Sequence, residues 1–353
     1  MVNNSYGTVK QLPIPALDAL RGLACLLVIF CHAGYVQFVP LVVGIGSLGV
    51  MLFYTLSGFL MAYHYFPKGF SARYWTAFLI RRFVRVYPAF LIATFGYLML
   101  QHYLPRGFPL TDGKGGITGL IPSWLLCESR GVFWTIPLEI KFYLLYPLIA
   151  YAFFLLSTRT LFLAMLVFWA GLFFVNIDKG YLMTNGGLSY FISGVFSGII
   201  LKRCNLDKIR PVFWELIVLA CPFAFYFCFK LLDRSNIWAY GWLFAPSMAL
   251  IILSLAKSRG ICQQLFENPV SRFIGHISYS LYLVHWFIIN AAKIIFPKIS
   301  FFVFVLVFIT AWFYYLLIES PFSRMARNMS TAFLNRYRSR LLSRIFCFPA
   351  GNL

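Results

Sequence analysis

The chain has 353 residues, of which 61% are hydrophobic, 20% aromatic and only 11% charged, and its formal net charge is +20. With a mean hydropathy of +0.79, this composition excludes an ordinary soluble domain and predicts a polytopic membrane protein. The positive charge is typical of the cytoplasmic loops of such proteins, so we expect no nucleic-acid partner. The eight cysteines show no metal-ligand spacing, and we expect no metal site.

Ten apolar segments are long enough to cross a bilayer as helices. They lie at about residues 17–38, 47–66, 84–104, 132–155, 160–176, 186–201, 212–232, 237–256, 273–296 and 300–318. An even number places both termini on one side, and most loop lysines and arginines fall on that side, which the positive-inside rule assigns to the cytoplasm. The prediction is an all-α membrane protein with an N-terminal cytoplasmic segment (1–13), a transmembrane domain (14–322) and a basic cytoplasmic tail on the inner leaflet (323–353).

The first segment, "LDALRGLACLLVIFCH", contains three polar residues, Asp18, Arg21 and His32. Such residues rarely persist inside a bilayer without a partner or a function. Arg21 and His32 are 11 residues apart, about three helical turns, so they share one helix face roughly 16 Å apart. Asp18 is placed to pair with Arg21. The pattern suits a ligand that lies along the helix, and the alternative is a helix-end ion pair with one structural histidine.

A second basic motif, "RRFVRVYP", places Arg81, Arg82 and Arg85 in the first predicted cytoplasmic loop, beside the third span. Arginine side chains bind phosphate through paired N–H groups, so these three residues are candidates for gripping phosphates. The alternative is that they only satisfy the positive-inside rule.

Other polar residues lie within later spans. "FWTIPLEIKFYLLYP" places Glu139 in the fourth span, "GHISYSLYLVH" carries Tyr279, Tyr282 and His285 in the ninth, and Glu319 in "IESPF" closes the tenth. For Glu139 the alternative is that it only neutralises a neighbouring cation. For His285 the alternative is a hydrogen bond to a backbone carbonyl.

In order along the chain, "LDALRGLACLLVIFCH", "FYTLSGF", "RRFVRVYP", "FWTIPLEIKFYLLYP", "GHISYSLYLVH" and "ESP" resemble the motifs of membrane acyltransferase family 3. Its members are bacterial O-acyltransferases that modify cell-surface and secreted glycans. The resemblance extends over about residues 14–322. It implies a multi-pass enzyme of the bacterial inner membrane that moves an acyl group, most often acetyl, from acyl-CoA to a hydroxyl of a glycan or lipid-linked saccharide. Acyl-CoA is then a donor substrate, and no permanently bound cofactor is expected.

The resemblance also implies roles for individual residues. The catalytic residues would be His32 and Glu139, the acyl-CoA-binding residues Arg21, Arg81, Arg82 and Arg85, and the supporting residues Asp18, Ser57, Tyr279, Tyr282 and His285. The chain departs from the family in reading "WTIPLE", with Pro137 two residues before Glu139. We expect this proline to open the local backbone hydrogen bonding and to tilt Glu139.

The expected mechanism holds the phosphates of acyl-CoA at the cytoplasmic mouth while its long arm runs towards His32. Neutral His32 then acts as the general base for the acceptor hydroxyl, and a covalent acyl-histidine relay across the membrane is the open alternative. Glu139 would orient the imidazole or receive the proton. Two other functions remain open: a proton-coupled exporter of a lipid or saccharide, with His32, Glu139 and His285 as the relay, and an accessory subunit without catalytic activity.

Overall fold

A computed structural model of the chain describes residues 13–34, 45–66, 72–103, 121–122, 124–126, 131–174, 182–231, 240–295 and 301–346. Of the predicted N-terminal segment 1–13, only Pro13 lies within these residues, and the last seven residues of the predicted tail lie outside them. Every regular element in the described ranges is helical, as predicted.

Twelve α-helices follow one another along the described chain. They are α1 (Pro15–Gly34), α2 (Ile45–Tyr65), α3 (Ala72–Tyr103), α4 (Thr135–Leu155), α5 (Thr158–Phe174), α6 (Leu182–Arg203), α7 (Pro211–Leu231), α8 (Gly241–Lys257), α9 (Ile261–Glu267), α10 (Pro269–Ile295), α11 (Phe301–Tyr314) and α12 (Ser320–Phe346). A π-helical turn, Tyr315–Glu319, joins α11 to α12. Each predicted apolar segment coincides with one of these helices, α1 to α8, α10 and α11.

Several helices have the length and composition of membrane spans. Five stretches of helix qualify in the described part of the chain, and α8 with α9, bent by 92°, would make a sixth. α5 is apolar but shorter, and most of its large side chains are exposed, as are those of α7. Exposed apolar faces of this kind are what lipid contacts require. The chain is therefore a multi-pass membrane protein, while the count of ten spans and the cytoplasmic termini stay predictions.

Glycines allow the central helices to approach closely. A Cβ added at Gly194 of α6 would overlap the Thr55 carbonyl oxygen of α2, and one at Gly58 of α2 would overlap the Phe191 carbonyl oxygen of α6. Membrane helices without a hydrophobic driving force between them pack through such small residues. The two helices therefore form one rigid pair, and this pair carries Ser57.

A second glycine contact joins α1 to α10. A Cβ at Gly22 would lie 2.8 Å from the Gly275 backbone nitrogen, and one at Gly275 would overlap the Asp18 carbonyl oxygen. Two distant segments of the sequence are thus held backbone to backbone. This contact determines which residues of α10 face His32.

α3 differs from the predicted third span because it begins at Ala72 rather than near residue 84. The prediction that Arg81 and Arg82 lie in a loop before the span is therefore wrong, whereas Arg85 lies within the predicted span. At 32 residues the helix is about 48 Å long, well beyond a hydrocarbon core of about 30 Å. Its N-terminal turns extend past the apolar region, where arginines are tolerated.

The basic segment after residue 322 is also helical. α12 runs from Ser320 to Phe346 and packs along α3, so at least its first turns contact protein rather than only a lipid surface. The helix begins directly after the π turn, where Glu319 is 1% exposed. The start of the predicted tail therefore belongs to the wall of the structure beside the arginine motif.

Candidate active site

The polar residues of α1 form a stripe along one face. Arg21 Nη1 lies 3.2 Å from Asp18 Oδ1, with both side chains partly exposed. His32 lies three turns further along the same face and is half-buried. Arg21 and Asp18 face a water-accessible space, whereas His32 faces α10.

His32 and His285 form a stacked pair across the contact between α1 and α10. His32 Nδ1 lies 2.8 Å from His285 Nε2, and the two rings are parallel within 3° at a centroid distance of 5.1 Å. Trp286 approaches the His32 ring edge-on, with the centroids 5.1 Å apart. His285 has no exposed surface. The imidazole of His32 is therefore held in one orientation by a buried partner.

The hydrogen bonds determine where the protons of a neutral pair lie. His285 Nδ1 is 2.7 Å from the Tyr282 carbonyl oxygen, which can only accept, so the His285 proton lies on Nδ1. His285 Nε2 is then an acceptor, and His32 donates to it from Nδ1. The lone pair of His32 consequently lies on Nε2, the tautomer that a general base needs.

The arginines line a cavity between the facing ends of α1, α2, α3, α10 and α12, which we call the vestibule. It has a volume of about 440 Å³. Its described lining includes five arginines and two carboxylates: Arg21, Arg81, Arg82, Arg85, Arg327, Asp18 and Glu319. The excess of positive charge makes it suited to a polyanionic ligand.

A smaller inner cavity of about 90 Å³ continues from the vestibule. Arg21, Arg82 and Arg85 line both spaces, so they form the boundary between them. Beyond these arginines the described walls are mainly hydroxyl groups, one carboxylate and apolar side chains, including Ser57, Thr135, Glu139, Tyr143, Ser278, Tyr279 and Tyr282. A ligand that passes the arginines thus enters a narrower and less charged space.

Glu139 lies in this inner cavity rather than beside His32. Its Oε1 accepts hydrogen bonds from Ser57 Oγ at 3.0 Å and from Tyr143 Oη at 2.6 Å. The partner that orients His32 is His285, so the expectation that Glu139 does so has no support from these contacts. Pro137 is the third residue of α4, where backbone N–H groups have no intrahelical acceptor in any case. The expectation that this proline opens the local backbone hydrogen bonding is therefore wrong.

Tyr279 and Tyr282 fix the walls of the inner cavity. Tyr279 Oη donates to the Val86 carbonyl oxygen at 2.7 Å, next to Arg85 in the sequence. Tyr282 Oη bonds to Thr135 Oγ1 at 2.7 Å, and its ring centroid lies 5.7 Å from that of His285. Tyr282 therefore separates the inner cavity from the histidine pair, and His32 itself lies behind this wall.

Glu319 is the buried partner of Arg85. Its Oε1 lies 3.6 Å from Arg85 Nη2, and its side chain is 1% exposed. Its other oxygen accepts a hydrogen bond from Ser280 Oγ at 2.6 Å. A buried carboxylate requires such partners, and here they hold the Arg85 side chain at the boundary of the two cavities.

Two residues of this site, Tyr143 and Arg327, are not among the predicted site residues, and the sequence analysis gives Glu319 no partner. The four-residue spacing of Glu139 and Tyr143 was a signal that they share a helix face. The other two depend on α12 packing against α3, which no local pattern in the sequence reveals.

Comparisons with known proteins find one matching family model and several curated relatives. A family model described as an acyltransferase domain matches residues 14–318. The chain is 30% identical over 155 residues to "Acyltransferase MdmB" of Streptomyces mycarofaciens, covering 38% of each protein. It is 25% identical over 319 residues to "Putative O-acetyltransferase SACOL0978" of Staphylococcus aureus strain COL, covering 80% of this chain and 51% of that protein.

The chain spans about half the length, or less, of these curated relatives. No solved structure matches it.

Proposed function

The chain belongs to the acyltransferase family whose domain model matches residues 14–318, and on that premise we propose that it is an O-acyltransferase of the bacterial inner membrane. It moves an acyl group, most often acetyl, from acyl-CoA to a hydroxyl of a cell-surface or secreted glycan. The observation that carries the proposal is the order of features along α1: an arginine-lined vestibule, a narrow inner cavity, and then an oriented histidine pair.

The vestibule supports acyl-CoA as the acyl donor. The nucleotide end of coenzyme A is polyanionic, and five arginines line this space. Guanidinium groups bind phosphate oxygens through paired N–H groups. The uncharged arm that carries the thioester suits the part of the inner cavity beyond Arg21, Arg82 and Arg85, where most of the lining is apolar or carries hydroxyl groups. The excess of lysines and arginines in the loops on this side supports a cytoplasmic mouth, which would open where acyl-CoA is made.

His32 acts as the general base in the proposed transfer. Its Nε2 takes the proton of the acceptor hydroxyl while that oxygen attacks the thioester carbonyl carbon. A new C–O bond forms, the C–S bond breaks, and the coenzyme A thiolate takes up the proton from His32. His285 supports the imidazolium through the 2.8 Å bond to His32 Nδ1. The acyl-histidine relay is the variant in which His32 Nε2 itself attacks the thioester and then transfers the acyl group to the acceptor.

The wall formed by Tyr282 sets a requirement for either route. The arm of the acyl donor must pass this ring to bring the thioester to His32. The acceptor reaches His32 from the opposite end of α1, the end that contains Gly34. The two substrates thus approach the histidine from opposite sides.

The test is to compare the acetyl content of surface glycans from cells that carry the gene, cells that lack it and cells with His32→Ala. We expect the variant to lose about 10²- to 10⁴-fold in transfer rate, the usual contribution of a general base. Phe30→Ala, an exposed position on the same helix, is the control for insertion. Normal acetylation by inserted His32→Ala protein would show that His32 is not the base. Unchanged glycan acetylation without the gene, together with lost saccharide export, would favour the exporter.

A further inference from the structure

We infer that Arg327, on α12, binds the 3′-phosphate of coenzyme A and so makes the protein selective for acyl-CoA over its 3′-dephospho analogue. This inference rests on the proposed function, because it assigns one part of the proposed acyl donor to one part of the vestibule. Its basis is the arrangement of the arginines in two tiers.

The inner tier consists of Arg21, Arg82 and Arg85, which line both the vestibule and the inner cavity. The outer tier consists of Arg81 and Arg327, which line the vestibule alone. A ligand whose arm fills the inner cavity meets the inner tier first and the outer tier second. The two tiers therefore contact different parts of any extended ligand.

The covalent order of coenzyme A matches this order of arginines. From the thioester outward the molecule consists of the arm, the pyrophosphate and then the ribose with its 3′-phosphate. With the arm in the inner cavity, the pyrophosphate lies at the inner tier. The 3′-phosphate then lies further out, beside Arg81 and Arg327.

The salt bridges leave the outer tier available for a ligand. Within the described ranges, Arg21 pairs with Asp18 and Arg85 pairs with Glu319, so carboxylates of the protein balance two of the three positive charges in the inner tier. Neither Arg81 nor Arg327 has such a carboxylate partner among those residues. A phosphate monoester carries about 1.5 to 2 negative charges near pH 7 and three acceptor oxygens, which makes it a suitable partner for this pair.

The position of Arg327 on α12 supports the same assignment. Ser323, Ala326 and Arg327 lie three and four residues apart, spacings that share a helix face, and together line the vestibule. Ala326 is 1% exposed, so this face of the helix is packed in place. Arg327 is exposed, so its guanidinium can turn to a ligand without breaking a buried contact. Arg324, also exposed, does not line the vestibule and provides a matched control.

The experiment measures Kd by calorimetry for CoA and for 3′-dephospho-CoA, using the full chain purified in detergent. Because it measures binding rather than turnover, it needs no acceptor. Wild type and Arg324→Gln should prefer CoA by about tenfold or more, the usual contribution of a charge-assisted phosphate contact. Arg327→Gln should reduce that preference at least threefold by weakening CoA binding while leaving 3′-dephospho-CoA binding unchanged. Arg327→Lys keeps the charge without the paired N–H groups, so its preference for CoA should lie between those of wild type and Arg327→Gln.

The outcomes separate the inference from the proposed function. If Arg327→Gln keeps the wild-type preference for CoA, or weakens the binding of both ligands equally, the assignment of Arg327 to the 3′-phosphate is wrong. Acyl-CoA would then remain the proposed acyl donor. If the wild-type protein binds neither ligand, the acyl-CoA proposal itself fails. If wild type binds both ligands equally, the vestibule does not recognise the 3′-phosphate and the inference is also overturned.

Discussion

The contact between Gly22 and Gly275 allows a test of the histidine pair without changing either histidine. In Gly22→Ala the new Cβ would lie 2.8 Å from the Gly275 nitrogen, whereas ordinary contact begins at 3.4 Å. The helices must therefore separate by about 0.6 Å, the difference between these distances, and such overpacking typically costs about 1–3 kcal/mol. If α1 moves as a rigid body, the His32–His285 distance of 2.8 Å grows to about 3.4 Å, close to the limit of a hydrogen bond.

The expected result is a fall in both stability and turnover. A hydrogen bond contributes about 0.5–1.5 kcal/mol net, so weakening this one should lower kcat about two- to twelvefold. The KM for acyl-CoA should change less, because Arg21 lies beside the vestibule and keeps its partner Asp18. The assays are thermal melting of the detergent-purified protein and release of free coenzyme A thiol in the presence of acceptor.

Two glycines elsewhere provide matched controls. A Cβ at Gly96 or at Gly171 would meet nothing within 4 Å. Both lie within helices, where replacing glycine by alanine stabilises by about 0.5–1 kcal/mol. Their alanine variants should therefore melt at or above the wild-type temperature with unchanged kcat. Wild-type melting and kcat in Gly22→Ala would refute the argument that this contact sets the histidine geometry.

Three further changes test other parts of the structure. Glu319→Gln removes the buried partner of Arg85, so the KM for acyl-CoA should rise more than kcat falls; a titration with acyl-CoA that gives an unchanged KM would contradict this role. Glu139→Gln keeps an acceptor oxygen but removes the charge, so thiol release should slow by about 10²-fold or more if the carboxylate acts as an acid or base in the transfer, and an unchanged rate would assign it a packing role. Lys257 Nζ donates to Asp207 Oδ1 at 2.7 Å and keeps the pKa of that exposed carboxyl below its usual value. The stability that this pair contributes is present above about pH 4 and is lost as the pH falls through the lowered pKa. The difference in melting temperature between wild type and Lys257→Gln should therefore stay constant from pH 8 to 5 and disappear only in stronger acid. Its disappearance above pH 5 would contradict the pairing.

Features that depend on helix geometry alone could be predicted from the sequence. The apolar segments give the positions of the helices because a membrane span must satisfy its backbone hydrogen bonds internally. The spacing of Asp18, Arg21 and His32 placed them on one face because an α-helix repeats every 3.6 residues. α3 is the exception, because the helix continues beyond its apolar segment and includes the arginines.

The partners across helices could not be predicted in the same way. His285 is 253 residues from His32, and the two meet because Gly22 and Gly275 allow α1 and α10 to touch. A glycine contact of this kind depends on how the surfaces of two helices fit together, and the sequence of one helix does not show which helix it will pack against. The expected role of Glu139 at the imidazole rests on the resemblance to the family, and α4 places this carboxylate against Ser57.

The π turn at Tyr315–Glu319 makes the junction between α11 and α12 sensitive to chain length. Its hydrogen bond runs from the Ser320 N–H to the Tyr315 carbonyl oxygen, one residue more than in an α-helix. Loss of a single residue there would restore the ordinary ladder and rotate everything on one side by about 100° relative to the other. Either the Glu319 carboxylate would move away from the Arg85 guanidinium, or all of α12 would turn about its own axis. Insertions and deletions at this junction should thus be far less tolerated than substitutions, although each changes only one residue.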